Sequence, residues 1–122
     1  MSLYKTILFS FCFSFLTAEL YEGYMLYTPG GGGASNTTYY KDWNGNTIQT
    51  WSHSNGPASM PYLLQDSSII YPYKVQSPSM LAGGVGGGVK KLSWNGDVLW
   101  DYTLSNNAYQ HHHDIEPLPN GN

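Results

Sequence analysis

Lys91-Leu92-Ser93-Trp94-Asn95-Gly96-Asp97-Val98-Leu99 can be laid over Tyr40-Lys41-Asp42-Trp43-Asn44-Gly45-Asn46-Thr47-Ile48. The Trp-Asn-Gly triplets coincide, a polar residue follows each, and two β-formers come next. Each copy reads strand, turn, strand: TTYYKDW, NG, NTIQTW in the first and GVKKLSW, NG, DVLWDY in the second. Asn-Gly predicts a two-residue type I′ turn. Both central residues of that turn need positive φ, which Gly adopts freely and Asn better than most. Trp43 and Trp94 sit beside the turns, and Trp51 and Trp100 stand in the returning strands.

A second element repeats in the same order. Pro61-Tyr62-Leu63-Leu64-Gln65-Asp66-Ser67-Ser68-Ile69-Ile70 resembles Ile115-Glu116-Pro117-Leu118-Pro119-Asn120-Gly121-Asn122. Aligning Asp66 with Asn120 pairs Leu64 with Leu118 and Ser67 with Gly121, and makes residues 115–118 a strand. Two hairpins thus alternate twice, with copies about 50 residues apart, the size of one four-stranded blade of a β-propeller. Blades bury their faces against neighbours, so two alone leave apolar surface open. A propeller takes about four to eight blades. The sequence stops at Asn120-Gly121-Asn122, a turn signal with no strand after it. The expectation is an all-β chain holding an incomplete β-propeller, about two blades long, truncated at its C-terminus. The alternatives are a natural terminus with a frayed tail and a small β-sandwich that repeats a turn motif.

Composition agrees with strands and turns. Of 122 residues, 16% are aromatic and only 11% charged, with 14 Gly and 7 Pro. A helical bundle would need more Ala, Glu, Lys and Leu. Net charge is −3 and all five basic residues are Lys. The adjacent pair Lys90-Lys91 is no basic stripe, so nucleic acid is not an expected partner. Lys5 precedes the apolar run TILFSFCFSFLTA at residues 6–18. A positive start, a short apolar stretch and a small final residue describe a secretory signal peptide over residues 1–18. The alternative is an uncleaved anchor or a buried apolar strand. Cys12, the one cysteine, falls inside this segment. The exported part, residues 19–122, would therefore hold no thiol, no disulfide and no membrane segment, in a secreted or periplasmic setting.

Two glycine runs, residues 30–33 and 83–88 (GGVGGG), precede the Trp-Asn-Gly hairpins. Neither has the Gly-Lys-Ser/Thr of a P-loop nor opens a helix, so they predict a close backbone approach or a flexible loop. The chemical signal is His111-His112-His113-Asp114, which holds all but one of the 4 histidines. On a strand, His111 and His113 would share one face and His112 the other. A histidine there could act as nucleophile, acid or base, or metal ligand, and Asp114 could orient an imidazole. The competing readings are solvated loop histidines and a structural His-Asp hydrogen bond. A metal site would need ligands from elsewhere in the chain.

The run His112-His113-Asp114-Ile115-Glu116-Pro117-Leu118-Pro119-Asn120-Gly121-Asn122 resembles the His-Asp…Leu-Pro-Asn-Gly-Asn motif of the arylsulfotransferase family. Upstream, Gly23-Tyr24-Met25-Leu26-Tyr27-Thr28-Pro29 resembles that family's Gly-Tyr-x-Leu-Phe-x-Pro start. Thr38-Tyr39-Tyr40-Lys41-Asp42-Trp43-Asn44-Gly45 resembles its Thr-Tyr-Leu-Ile-Asp-x-x-Gly strand. The glycine run at residues 83–88 with Trp94-Asn95-Gly96-Asp97-Val98-Leu99-Trp100 resembles its Gly-rich loop and Trp-Asp-Gly-x-x-x-Trp hairpin.

The resemblance implies an exported six-bladed propeller. It implies transfer of a sulfuryl group from a phenolic sulfate ester to a phenol acceptor through a sulfohistidine, without nucleotide donor, cofactor or metal. Imidazole is both a good nucleophile and a good leaving group, so one hard transfer becomes two easier ones. Of the family's site, the His before Asp maps onto His113, with His112 as its neighbour; both are the candidate catalytic residues. In the family this His lines the channel and is not sulfated. The nucleophilic His, a later His-x-Asn pair and an Arg would follow Asn122, so this fragment alone is expected to be inactive. The runner-up is a non-catalytic secreted propeller that binds ligands or partners, and a third reading is a quinone-dependent propeller dehydrogenase.

Overall fold

A computed structural model describes residues 22–30 and 36–120. The expected leader with Cys12, most of the first glycine run, and Gly121-Asn122 lie outside the described residues. Seven strands form: β1 (Tyr24–Tyr27), β2 (Thr37–Asp42), β3 (Thr47–Ser52), β4 (Tyr62–Leu63), β5 (Ile69–Lys74), β6 (Gly87–Leu92) and β7 (Val98–Thr103). They make two antiparallel meanders, a three-stranded sheet β1-β2-β3 and a four-stranded sheet β4-β5-β6-β7. The described residues are all-β, as the composition predicts. Among the described residues there is no helix, hence none that could cross a membrane.

The repeat holds at the level of single hydrogen bonds. Pairing slips by one residue at matched places, from Tyr40↔Gln49 to Lys41↔Thr47 and from Lys91↔Trp100 to Leu92↔Val98. In the first hairpin Asp42 N–H donates to Asn46 O and Gly45 N–H to Asp42 O, both at 3.0 Å. In the second, Ser93 N–H donates to Asp97 O at 2.8 Å and Gly96 N–H to Ser93 O at 3.0 Å. Only the glycines carry positive φ, +86° at Gly45 and +93° at Gly96; Asn44 and Asn95 do not. This corrects the expected type I′ turn. Each loop is a type I turn closed by a left-handed Gly, the three-residue hairpin with a bulge. The residue before Trp decides it. Asp42 Oδ1 and Ser93 Oγ each accept the N–H four residues on, which stabilises the type I arrangement.

The two sheets share one core. Trp51 from β3, Ile69, Tyr71 and Tyr73 from β5, and Leu92 from β6 are buried together, with Leu26, Tyr40 and Trp94 packed against them. Trp94 meets Trp51 edge to face at 5.5 Å and Tyr40 at 6.1 Å. Trp51 Nε1–H donates to Ser93 O at 2.9 Å, and Gln49 Nε2–H to Trp94 O at 2.8 Å. The second hairpin is thus held on the face of the first sheet by two indoles and two hydrogen bonds. β5 is buried from Ile69 to Tyr73 because it is covered on both faces. Pro72 is tolerated inside it because Pro72 O still accepts from Ala58 N–H and β4 ends short of it.

Residues 115–118 form no strand, contrary to the sequence reading. Pro117 and Pro119 withhold two N–H donors there, and no neighbouring strand pairs with the segment.

Candidate functional site

The glycine run and the histidine run meet. Val85 and His112 form a β-bridge, and His113 N–H donates to Gly84 O at 3.0 Å. The absence of side chains in the run makes the approach possible. A Cβ on Gly84 would overlap the rings of His112 and His113, and one on Gly86 would crowd His111. The close-approach reading therefore holds at four of these glycines: the histidines approach Gly84 and Gly86, whereas Val75 crowds Gly87 and the Tyr73 ring covers Gly88.

The three histidines do not alternate as on a strand. His113 sits at φ +38°, which turns its ring back onto its neighbour. His112 and His113 lie edge to face with centroids 4.3 Å apart and their Nδ1 atoms 3.0 Å apart. His112 Nε2 is 2.7 Å from Gly83 O. A carbonyl only accepts, so His112 Nε2 carries a proton there. In a neutral ring His112 Nδ1 is then the acceptor, and His113 Nδ1–H is the donor to it. That chain of bonds leaves His113 Nε2 with a free lone pair, on a ring exposed to solvent.

His111 is set apart. Its Nε2 donates to Asp114 O at 3.0 Å, and its Nδ1 accepts from Gly87 N–H at 3.4 Å. Both nitrogens are occupied, so His111 is a brace between the loop and β6. The Asp114 carboxylate meets no imidazole in the manner of a triad. Its Oδ1 accepts the Tyr62 hydroxyl at 3.2 Å. Burial pushes the Asp114 carboxyl up, but the Ile115 amide and the Ser59 and Tyr62 hydroxyls outweigh it, so its pKa lies below the usual value. Among the described residues no group of three or more His, Cys, Asp or Glu side chains gathers to hold a metal.

Two cavities lie nearby. One of about 590 Å³ is lined by Thr28, Asn36, Met60 and Lys74. The other, about 410 Å³, lies between Ile70, Val89, Trp100 and Tyr102 and the segment at 115–118. Of the histidine run, only His111 borders either. His112 and His113 face open solvent.

One functional-type side chain went unread in the sequence. His53, the residue after β3, stacks on Tyr71 at 3.6 Å, and its Nε2 bonds Thr38 Oγ1 at 2.8 Å. Its buried Nδ1 has no hydrogen-bond partner. Burial, with a smaller push from the Lys90 charge, lowers its pKa to about 4. Its match in the second copy is Leu104: His53 N–H donates to Asn36 O as Leu104 N–H does to Gly87 O, both at 2.8 Å. A His where the other copy has Leu was the available signal.

No protein-family model matches the chain, and no curated protein or solved structure is significantly similar to it.

Proposed function

We propose that the chain is the N-terminal part of an exported arylsulfotransferase-like six-bladed propeller, with His113 and His112 at the sulfate-handling site. The observation that carries this reading is the free Nε2 of His113, set by the bonds from Gly83 O through His112. His113 can take up a proton there without losing any bond it makes. A phenol attacking the sulfur of a sulfohistidine forms an O–S bond, breaks the N–S bond and releases its proton. His113 Nε2 accepts that proton, and the imidazolium then donates to a sulfuryl oxygen. His112 is a positioning residue that fixes the tautomer. Two further features support the array: the bond-by-bond repeat of the hairpins and the face-to-face stacking of the two sheets. With no Arg in the chain, the remaining cationic groups come from other blades.

The test uses a chain that carries the whole propeller, assayed for sulfate transfer between two phenols. His113→Ala lowers turnover by roughly 100-fold, the scale of a lost general base. Unchanged turnover overturns the assignment. A wild-type protein that binds an aryl sulfate and never transfers it replaces the enzyme with a secreted binding propeller.

A further inference from the structure

We propose that the cavity of about 590 Å³ binds a small organic anion, whose oxyanion group sits between the Thr28 hydroxyl and the Lys74 ammonium. The site is separate from His112 and His113, and the proposal does not rest on sulfuryl transfer. Its walls are residues just after β1 and just before β2, the connection from β3 to β4, and the last residue of β5. It therefore lies at the loop end of the seam between the two sheets, and not on an outer face.

The two copies differ at this seam. By the shared register, Thr28, Thr38 and His53 stand where the second copy has Pro72, Val89 and Leu104. The second copy uses apolar side chains there. The first uses a hydrogen-bonded chain: Thr28 Oγ1 lies 2.6 Å from Thr38 Oγ1, which lies 2.8 Å from His53 Nε2. Thr38 is 0% exposed, and the buried His53 Nδ1 has no partner. Burying polar groups costs stability that the apolar trio does not cost, so the chain of bonds points to a use.

The chain has a direction. Burial keeps the His53 ring neutral near pH 7, so it carries one N–H. A proton on Nδ1 would be a buried N–H without an acceptor, the rarer orphan in folded proteins. The proton therefore sits on Nε2, which donates to Thr38. Thr38 donates to Thr28, and the Thr28 hydroxyl is left with a proton to give. Thr28 lines the cavity, as does Lys74, whose ammonium makes no hydrogen bond or ion pair with another described residue. Asn36 adds an amide. Ser59 also lines the cavity, but its hydroxyl donates to Asp114, whose charge Tyr62 and the Ile115 amide meet as well. No Asp or Glu is among the described lining residues. Donors and a cation without a carboxylate select a negatively charged group that only accepts. Pro29 and Met60 supply apolar wall, and the volume is that of a small-molecule site.

The experiment is calorimetric titration of the full chain with benzoate, benzenesulfonate and, as a neutral match, benzyl alcohol. Neither anion can give up a sulfuryl group, so binding is read apart from transfer. Saturable binding of at least one anion, and none of the alcohol, is expected; the tighter of the two names the group the site prefers. Lys74→Gln and Thr28→Val are each expected to weaken binding about 10-fold or more, the scale of a hydrogen bond to a charged group. Thr28→Ser keeps the hydroxyl and is expected to bind as the wild type does. Near-ultraviolet circular dichroism of the Trp51–Trp94 pair checks that each variant keeps its fold. Absence of binding by both anions overturns the proposal, as does equal affinity for the alcohol. So does full affinity in Lys74→Gln or Thr28→Val, or loss of binding in Thr28→Ser. Binding that those variants leave intact and His113→Ala removes would put the anion at the histidines instead. Loss of sulfate transfer in His113→Ala, by contrast, bears only on the proposed function.

Discussion

At the scale of single residues, His53 is the imidazole whose protonation burial opposes. It lies half-buried against Tyr71 with its Nδ1 unpartnered, and its pKa falls from 6.5 to about 4 through burial and then the Lys90 charge. The unfolded chain binds this proton first. Above pH 6.5 neither state is protonated there and His53 is neutral to stability. As pH falls from 6.5 towards 4 the unfolded state gains a proton the folded state refuses, so stability drops, and below about 4 the loss is complete. The full shift corresponds to about 3 kcal/mol, which solvent screening of a half-buried ring reduces to roughly 1–2. His53→Leu, the residue its copy uses, is expected to remove this slope. The check is urea unfolding at pH 7 and pH 4.5 for both proteins. An equal pH dependence in the two would show that His53 is not the titrating group. The residues flanking His53 did not announce it, because burial by Tyr71 comes from another strand; the signal lay in the second copy, which has Leu104 at the matching place.

At the scale of elements, the three tight turns share one geometry with different residues at its left-handed position. Ser67 N–H donates to Leu64 O and Leu64 N–H to Ser68 O, as in the two glycine turns, but the left-handed residue is Ser67, at φ +63°. An L-residue there costs about 1–2 kcal/mol, offset in part by the freedom Gly loses on folding. Ser67→Gly is therefore expected to stabilise by roughly 0.5–1 kcal/mol, and Gly96→Ser to destabilise by about the same amount. Thermal midpoints should move by about 4–8 °C per kcal/mol for a domain of this size, in opposite directions. Shifts of the same sign would break the equivalence of the turns. The existence of both Trp-Asn-Gly hairpins was legible in the sequence, since Asn-Gly between β-forming runs is a local signal. Their turn type was not read correctly, because Asp42 and Ser93 outside the Asn-Gly pair select it. The strand expected over 115–118 failed for a non-local reason: a strand exists only with a neighbour to pair with, and repeat alignment cannot supply one.

At the scale of the whole molecule, the repeat explains both the core and the site. Alignment of the two copies showed which residues correspond, and stacking the sheets made β3 of one copy the floor for the hairpin of the next. The histidine site was legible in part. His112 and His113 stood out by density, whereas the glycine run promised a close approach without saying to what, until the bridge from Val85 to His112 joined the segments. The same stacking means that neither sheet has a core of its own. Trp51 is the side chain on which this depends, since it is 1% exposed, touches Trp94 and bonds Ser93 O. Trp51→Ala is expected to destabilise by about 3–5 kcal/mol, from lost burial plus the cavity left behind. Trp51→Phe keeps most of the burial and loses the bond to Ser93 O, for about 1–2 kcal/mol. Because the core is shared, both sheets should unfold in one step. Denaturation followed by far-ultraviolet circular dichroism, which reports the strands, and by tryptophan fluorescence, which reports the contact between sheets, should give one midpoint in the wild type and in Trp51→Phe. A fluorescence transition that precedes loss of the strands would mean that each sheet holds itself together without its neighbour.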